Sequence, residues 1–397
     1  MNDMSGKPKT TPDLVWPADL GDVPTEVFVR EDIFEAEIET IFHGPYWHVV
    51  AHEAEIPNKG DFKTFELGRV PLLIARGDDD VVRVFINSCP HRQSQVETAP
   101  CGHAKGFVCP YHRWTFKNDG SMLGAPGIDD FSPKFNKSEY GLKEVNMENV
   151  HGLILISLSD NPPDIDEYLD GALDNIEKTI GHKQGLKLLG YQKARYACNW
   201  KVVMDNDGYH APLLHTGFRL LGWQSGKGAQ FYTPTVAGVA SELKPGVPSG
   251  ALKDPSLVEF KDSTWNSYVT GIFPMTIMVK HLDVFSVRFA IARSVDCTEI
   301  HYAYFAKSDD SEEMVNHRAR QASNLLGPCG MISMEDAAIF ARIQIASKAR
   351  GTAIMQKGVK DLRVMPTEFM QNDETPNIPR WHDYRKVMGF PMEGEEQ

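Results

Sequence analysis

The chain has 397 residues, 42% of them apolar and 24% charged, which is an ordinary globular composition large enough for about two to three domains of ~150 residues each. A formal charge of -13 with pI near 5.5 argues against nucleic acid or an anionic membrane as partner. No apolar run approaches the ~18 residues that cross a bilayer, and the opening "MNDMSGKPKTTPDL" lacks the apolar stretch of a secretory signal. A cytoplasmic location is expected.

In chain order, "DIFEAEIETIF" (32–42) carries apolar residues at helical spacing with an acid near its start, and a helix is expected there. After "HGPYW" the pattern becomes short β-branched or aromatic runs parted by Pro, Gly or Asp: "WHVVAHEAEI", "FKTFELG", "VPLLIARG", "VVRVFINS" and "GFVCPYHRWTF". These read as an all-β module closing near "HGLILISLS" at 151–159. The stretch "DNPPD" (160–164) reads as a linker. Beyond it, helices are expected around 165–181 and 331–349, and strands around 191–198, 275–281, 284–293 and 299–306. Three segments follow: an N-terminal helical piece (1–42) packing on the last domain, an all-β domain (43–159), and an α+β domain of antiparallel sheet plus helices (160–397). The Gly/Pro-rich "ELKPGVPSGALKDPS" (242–256) reads as a long loop of the kind that forms lids.

Six cysteines are present, and three of them, Cys89, Cys101 and Cys109, fall within 21 residues, while Cys198, Cys297 and Cys329 are scattered. That is no disulfide framework, and in a reducing compartment a local Cys/His cluster points to metal. The chain reads "CPHR" at 89–92 and "CPYHRW" at 109–114, so the set is Cys89-x-His91, seventeen residues, then Cys109-x2-His112. Two thiolates and two imidazoles on two loops fit a Rieske [2Fe–2S] centre, in which histidines replace cysteines on one iron. Pro90 and Pro110 fix φ at the turns and help aim backbone N–H groups at the sulfurs. A structural zinc site is the rival, but its usual spacing is Cys-x2–4-Cys with His-x3–5-His. A further pair, Cys101-x-His103, is separated from Cys109 by only five residues and is expected to stand apart from the ligands.

With this motif, the entry "HGPYWHVVAHEAEI", the stretch "NWKVVMDNDGYHAPLLHTGF" and the closing "NDETPNIPRWHDYRKVMG", the chain resembles the large (α) subunits of Rieske non-heme iron aromatic-ring-hydroxylating oxygenases over nearly its whole length. His210 and His215 are five apart, about 140° on an ideal helix, with Pro212 between them to distort that helix and bring the rings together. A non-heme Fe(II) site takes two histidines and one carboxylate. In "GMISMEDAAIFARIQ", residues three, four and seven beyond Asp336 are Ile339, Phe340 and Ile343, whereas Arg342 lies seven beyond Glu335. Asp336 is therefore expected toward the buried face, where an ionised carboxylate needs a cation. The resemblance places the family's carboxylate ligand at Asp336 as well. It also implies that Asp207, three before His210, links that histidine to a Rieske histidine, His112, of a neighbouring subunit.

These expectations describe a terminal oxygenase component that oxygenates an aromatic substrate, possibly an acid, with a [2Fe–2S] cluster and mononuclear Fe(II). No Gly-rich dinucleotide fingerprint is evident, so electrons from NAD(P)H are expected through a separate reductase, with or without a ferredoxin. The resemblance implies a homotrimeric α core, with a small β subunit (α3β3) favoured over α3. The rivals are a Rieske O- or N-demethylating monooxygenase and a Rieske electron-transfer protein with a non-catalytic second domain. Phe218, Trp223, Phe231, Trp265, Phe273 and Phe285 are candidates for the pocket wall. Arg219 and Arg288 are candidates to meet a substrate carboxylate, against the plainer reading of a surface ion pair.

Overall fold

In the computed structural model, residues 12–169, 171–181, 185–206, 224–244, 254, 258–262 and 266–395 are described. They divide into two units: Met1–Phe42 with Asp164–Gln397, and, inserted between these, His43–Pro163. The first unit opens with β1 (Asp22–Pro24) and α1 (Glu31–Glu37). The helix expected to run to residue 42 is α-helical only to Glu37 and finishes as a π turn, Ile38–Phe42, whose Ile38, Ile41 and Phe42 are buried.

The inserted unit is built from β2 (His48–His52), β3 (Asp61–Leu67), β4 (Val70–Arg76), β5 (Val82–Ile86), β6 (Cys101–His103), β7 (Gly106–Val108), β8 (Thr115–Lys117), β9 (Met122–Gly124), β10 (Asn146–Val150) and β11 (Leu153–Ser157). They form three antiparallel sheets of order β10-β11-β2, β5-β4-β3-β6 and β7-β8-β9. Along β3, alternation puts Phe62 on the face of the unit's core and Lys63, Phe65 and Leu67 on the opposite face, all four buried. Phe62, Leu73, Phe85, Phe107, Trp114 and Phe116 form its core beneath two loops, 89–94 and 109–114. A buried ion pair, Lys63 Nζ to Glu55 at 2.7 Å, joins β3 to the turn after β2. The unit ends where Pro162 and Pro163 stop strand pairing and Asp164 caps the next helix, its carboxylate accepting from Asp166 N–H at 3.0 Å and Glu167 N–H at 3.1 Å.

The first unit resumes with α2 (Ile165–Tyr168), α3 (Leu173–Ile180), β12 (Leu186–Tyr196) and α4 (Trp200–Met204). Then come β13 (Gln224–Tyr232), β14 (Val236–Lys244), β15 (Asn266–Ile272), β16 (Thr276–His281), β17 (Val284–Ser294) and β18 (Cys297–Lys307). The remaining elements are α5 (Glu312–Gln321), α6 (Ser333–Ala346), β19 (Thr352–Ile354) and α7 (Asn377–Met388). β12–β18 make one antiparallel sheet of order β12-β18-β17-β16-β15-β14-β13. This is the expected α+β domain, with strands β13–β15 and helices α5 and α7 beyond those anticipated. Residues 242–244 extend β14 rather than beginning a loop, and 245–253 lie outside the described residues.

The sheet has two different faces. Phe285 and Thr270 turn to one side, where Arg318 of α5 stacks 4.7 Å from the Phe285 ring and Thr179 of α3 hydrogen-bonds Thr270 at 3.1 Å. On the other side, Tyr196 packs edge-on against Phe340 of α6, with centroids 6.1 Å apart. Because side chains alternate along strands and Arg288 pairs with Tyr302 and Ser286 with Tyr304, these four share the face of Tyr196.

Candidate cluster loops and the catalytic face

The two Cys/His loops repeat one backbone design. Cys89 N–H donates to Ser94 O at 2.8 Å and Gln93 N–H to Cys89 O at 2.9 Å; Cys109 N–H donates to Trp114 O at 2.8 Å and Arg113 N–H to Cys109 O at 3.1 Å. The fifth residue of each loop is left-handed, Gln93 at φ 56° and Arg113 at φ 62°. That costs a non-glycine residue on the order of 1 kcal/mol or more, and both loops accept it at the same place. Asn87, fully buried, braces the first loop: its Oδ1 accepts from Val96 N–H at 3.1 Å and Glu97 N–H at 3.0 Å, while its Nδ2 donates to Glu97 O at 2.7 Å.

The loops bring the four expected side chains together as two like pairs. Cys89 and Cys109 are buried free thiols in mutual contact. Burial pushes the Cys89 thiol above its ordinary pKa, the N–H groups of His91 and Arg92 that reach its sulfur pull it down, and Cys109 adds to the rise. The His91 and His112 rings lie 4.6 Å apart. The Nδ1 atom of each is buried without a hydrogen-bond partner. Nitrogens so placed are costly unless something accepts their lone pairs. Two thiols side by side and two imidazoles side by side fit two irons, one held by each pair, where a single zinc would draw all four ligands to one point. Among the described residues, no three His, Cys, Asp or Glu side chains gather about one such point.

Trp114 is a functional neighbour that motif reading passes over. Its ring stacks on His91 at 4.8 Å and 3°, and it is wedged by Phe131, Phe135 and Tyr140 at 5.8–6.0 Å. Its signal in the sequence is its place as the residue that closes the second loop. Tyr111, exposed, lies 3.8 Å from the His112 ring. Cys101 and His103 are on exposed β6, paired with β3, and His103 Nδ1 meets Asp61 at 3.1 Å.

In the other unit, α4 leads toward the expected iron ligands. Its first turn is capped by Asn199, whose Oδ1 accepts from Lys201 N–H at 3.0 Å, and Asn199 N–H donates to Gln344 of α6 at 2.8 Å. Its last turn is held by α7: Asp205 accepts from Trp381 Nε1 at 2.8 Å and Asn377 Nδ2 at 2.7 Å, and Arg380 donates to Met204 O at 2.9 Å. Asp207, His210, Pro212, His215, Phe218, Arg219 and Trp223 lie outside the described residues, as does Trp265. Asp336 is in the first turn of α6 and half-buried, and its charge reaches Tyr196. The expectation of a buried helix face around it needs correction: Phe340 is buried, but Ile339 is 41% and Ile343 38% exposed. Phe285 is turned to the α5 side, away from Tyr196, so it belongs to the core. Phe231 and Phe273 are half-buried, and Phe273 packs edge-on 6.3 Å from Trp200.

Comparison with known proteins agrees with both units. Residues 46–138 match the Rieske [2Fe-2S] domain, and residues 184–360 match the ring hydroxylating alpha subunit catalytic domain. The chain is 30% identical to the anthranilate 1,2-dioxygenase large subunit of Burkholderia cepacia, over 95% of this chain and 96% of that protein. The chain belongs to the Rieske ring-hydroxylating oxygenase large subunits. It is also 29% identical to the salicylate 5-hydroxylase large oxygenase component of a Ralstonia species, over 96% of this chain and 98% of that one. Its fold is that of naphthalene 1,2-dioxygenase with indole bound, at TM-score 0.81 and 22% identity, covering 96% and 95% of the two chains. As a member of this family it is an oxidoreductase whose cofactors are a [2Fe–2S] cluster and a mononuclear iron, and it works with electron-transfer partners and oligomerises. Among the described residues, no helix is long and apolar enough to cross a membrane.

Proposed function

We propose that this oxygenase subunit hydroxylates or dihydroxylates an aromatic ring, with Cys89, His91, Cys109 and His112 holding the cluster and His210, His215 and Asp336 the mononuclear iron. The observation that carries the cluster assignment is the pair of buried, unpartnered Nδ1 atoms beside the buried thiol pair. When bound, the cluster supplies electrons one at a time and the mononuclear iron supplies O2 activation. The chain's own residues arrange the rest. His91 and His112 turn Nδ1 inward, which leaves Nε2 as the ring atom for an outer partner. Trp114 fixes the His91 ring plane by stacking, and the N–H groups of His91 and Arg92 donate to the Cys89 sulfur.

Asp207 is assigned as that outer partner in a neighbouring subunit. A carboxylate accepts an imidazole N–H on each side, so it joins His112 of one chain to His210 of the next. This role supports a head-to-tail ring, the closed heterologous arrangement that each chain needs for a complete path. An α3 core with a small β subunit, and NAD(P)H-derived electrons delivered by a reductase with or without a ferredoxin, complete the proposal. The relatives named for anthranilate and salicylate support an aromatic substrate.

Iron and sulfide analysis of the purified protein tests the assignment. One cluster plus one mononuclear site requires three iron atoms and two acid-labile sulfides per chain. Two irons, with no oxygen uptake on any arene, would identify an electron carrier instead. Release of formaldehyde rather than a phenol or dihydrodiol would identify a demethylating monooxygenase.

A further inference from the structure

Arg288 is an outlier among the enclosed arginines of the catalytic unit. Arg318 is paired with Asp310 at 2.7 Å and Asp262 at 3.0 Å and also donates to Asp283 O. Arg293 pairs with Glu299 at 3.0 Å and Arg385 with Glu395 at 2.9 Å. Arg288 has no carboxylate partner among the described residues: it makes one 3.3 Å hydrogen bond to Leu326 O and lies 5.1 Å from the centroid of the Tyr302 ring. Its Nε is buried without a partner. This is not the surface ion pair that the sequence suggested. Two residues away on the same face of β17, Ser286 is fully buried and its Oγ also has no partner.

A half-enclosed guanidinium without a counterion is costly, and folded chains keep such a charge where an anion arrives. Among the described residues, the neighbours supply none. Burial and the adjacent Tyr302 hydroxyl, 2.5 Å away, hold Tyr196 protonated, and burial likewise holds Tyr304 protonated. Burial and the Arg288 charge push the His281 imidazole down to about 3, so it too is neutral. Tyr196 packs against Phe340, one turn beyond Asp336 on α6. Arg288, Tyr302 and Tyr196 therefore run along one face of the sheet toward the helix that carries the residue assigned to the iron.

We propose that Arg288, assisted by the Ser286 hydroxyl, binds the carboxylate of the substrate, so that the substrates of this enzyme are aromatic carboxylates rather than neutral arenes. The inference rests on the ring-hydroxylation reading above and narrows it. A guanidinium offers two parallel N–H donors to a carboxylate, and a site built for that charge rejects the uncharged analogue because its buried donors are then left unmet.

The test is calorimetric binding to the iron-loaded protein of benzoate, 2-hydroxybenzoate and 2-aminobenzoate, each against its methyl ester. At least one acid is expected to bind about 10- to 100-fold more tightly than its ester, as one charged hydrogen-bonded contact gives. Arg288→Gln should abolish that preference, the acid losing far more affinity than the ester, and Arg288→Lys should weaken the acid several-fold. Ser286→Ala should weaken the acid and not the ester. A calorimetric melting transition of the catalytic unit close to the parent's establishes that each variant is folded there; if Arg288→Gln is not, Arg288→Lys and Ser286→Ala decide. Absence of any acid preference in the parent, or a preference unmoved in the folded variants, overturns the inference. Failure of the wider reading looks different: acids bind, yet no oxygenated ring forms from acid or ester with a surrogate reductase.

Discussion

Glu37 on α1 is fully buried and is approached by three donors from distant parts of the chain: Trp200 Nε1 at 2.7 Å, the Tyr384 hydroxyl, and Lys201 Nζ at 2.6 Å. Lys201 is itself fully enclosed; burial lowers its pKa, and the Glu37 charge opposes that. Glu37→Gln keeps an acceptor oxygen for Trp200 or Tyr384 but removes the counterion, leaving a buried ammonium. Breaking a buried pair in this way costs about 3–5 kcal/mol. For a unit of this size that is a fall of roughly 6–20 °C in its melting temperature. Differential scanning calorimetry reads it directly, and the cluster absorbance should stay intact at 25 °C because the cluster loops belong to the other unit. Glu37→Gln with Lys201→Met removes both charges and should recover most of the loss, since a well-packed apolar pair is often as stable as the ions it replaces. A single variant within about 1 kcal/mol of the parent, or a double variant worse than the single, would refute this reasoning.

Four further outcomes are expected. Asp336→Ala should lower iron from three to two atoms per chain while leaving the visible spectrum of the cluster unchanged; undiminished iron would remove Asp336 from the ligand set. Asp207→Ala should keep both iron content and spectrum yet lose nearly all coupled turnover, and retained turnover would end its bridging role. Cys101→Ala should leave the cluster spectrum intact where Cys109→Ala bleaches it; the reverse would show that the cysteines were wrongly chosen. Burial raises the Glu299 pKa, but hydrogen bonds from Arg293, His301 and Arg195 outweigh it and hold it at about 2. Its folded pKa is thus depressed, so the stability it adds is complete above the unfolded value of ~4.3 and is lost as pH falls toward the folded one. The melting temperature of Glu299→Gln should therefore drop less steeply than the parent's from about pH 5 to pH 3, and parallel curves would exclude the effect.

The cluster motif was legible because its ligands are local. Proline fixes each turn, and the sequence between the loops is just long enough for the short strands β6 and β7. The strands flanking it alternate clearly enough to read. Strands β13 and β14 were not readable, since "QSGKGAQFY" and "VAGVASELK" are rich in Gly, Ala and Ser, residues with little β propensity that a large sheet nevertheless accepts. Helix α7 was hidden by Pro379, which is tolerated because it falls in the first turn, where no intrahelical N–H bond is lost. The helical-face argument for Asp336 succeeded for Phe340 and failed for Ile339 and Ile343, because apolar type alone does not settle which side of a helix is covered. The Glu37 network and the absence of a carboxylate beside Arg288 among the described residues lay beyond sequence reading altogether. Each depends on residues brought together across large separations: Glu37 meets Trp200 at a distance of 163 positions and Tyr384 at 347.

That separation sets an order of events during synthesis. The cluster-bearing unit is one continuous stretch, His43–Pro163, whereas α1 belongs with residues made afterwards. At about 5–20 residues per second, the ribosome needs on the order of 10–50 s to make residues 164–397. For nearly all of that interval the Glu37 carboxylate lacks Tyr384, and for its first part Lys201 as well, while the Cys89 and Cys109 loops already have every strand they need. The insertion thus lets the cluster-bearing unit complete its fold before the catalytic unit closes around its own N-terminus.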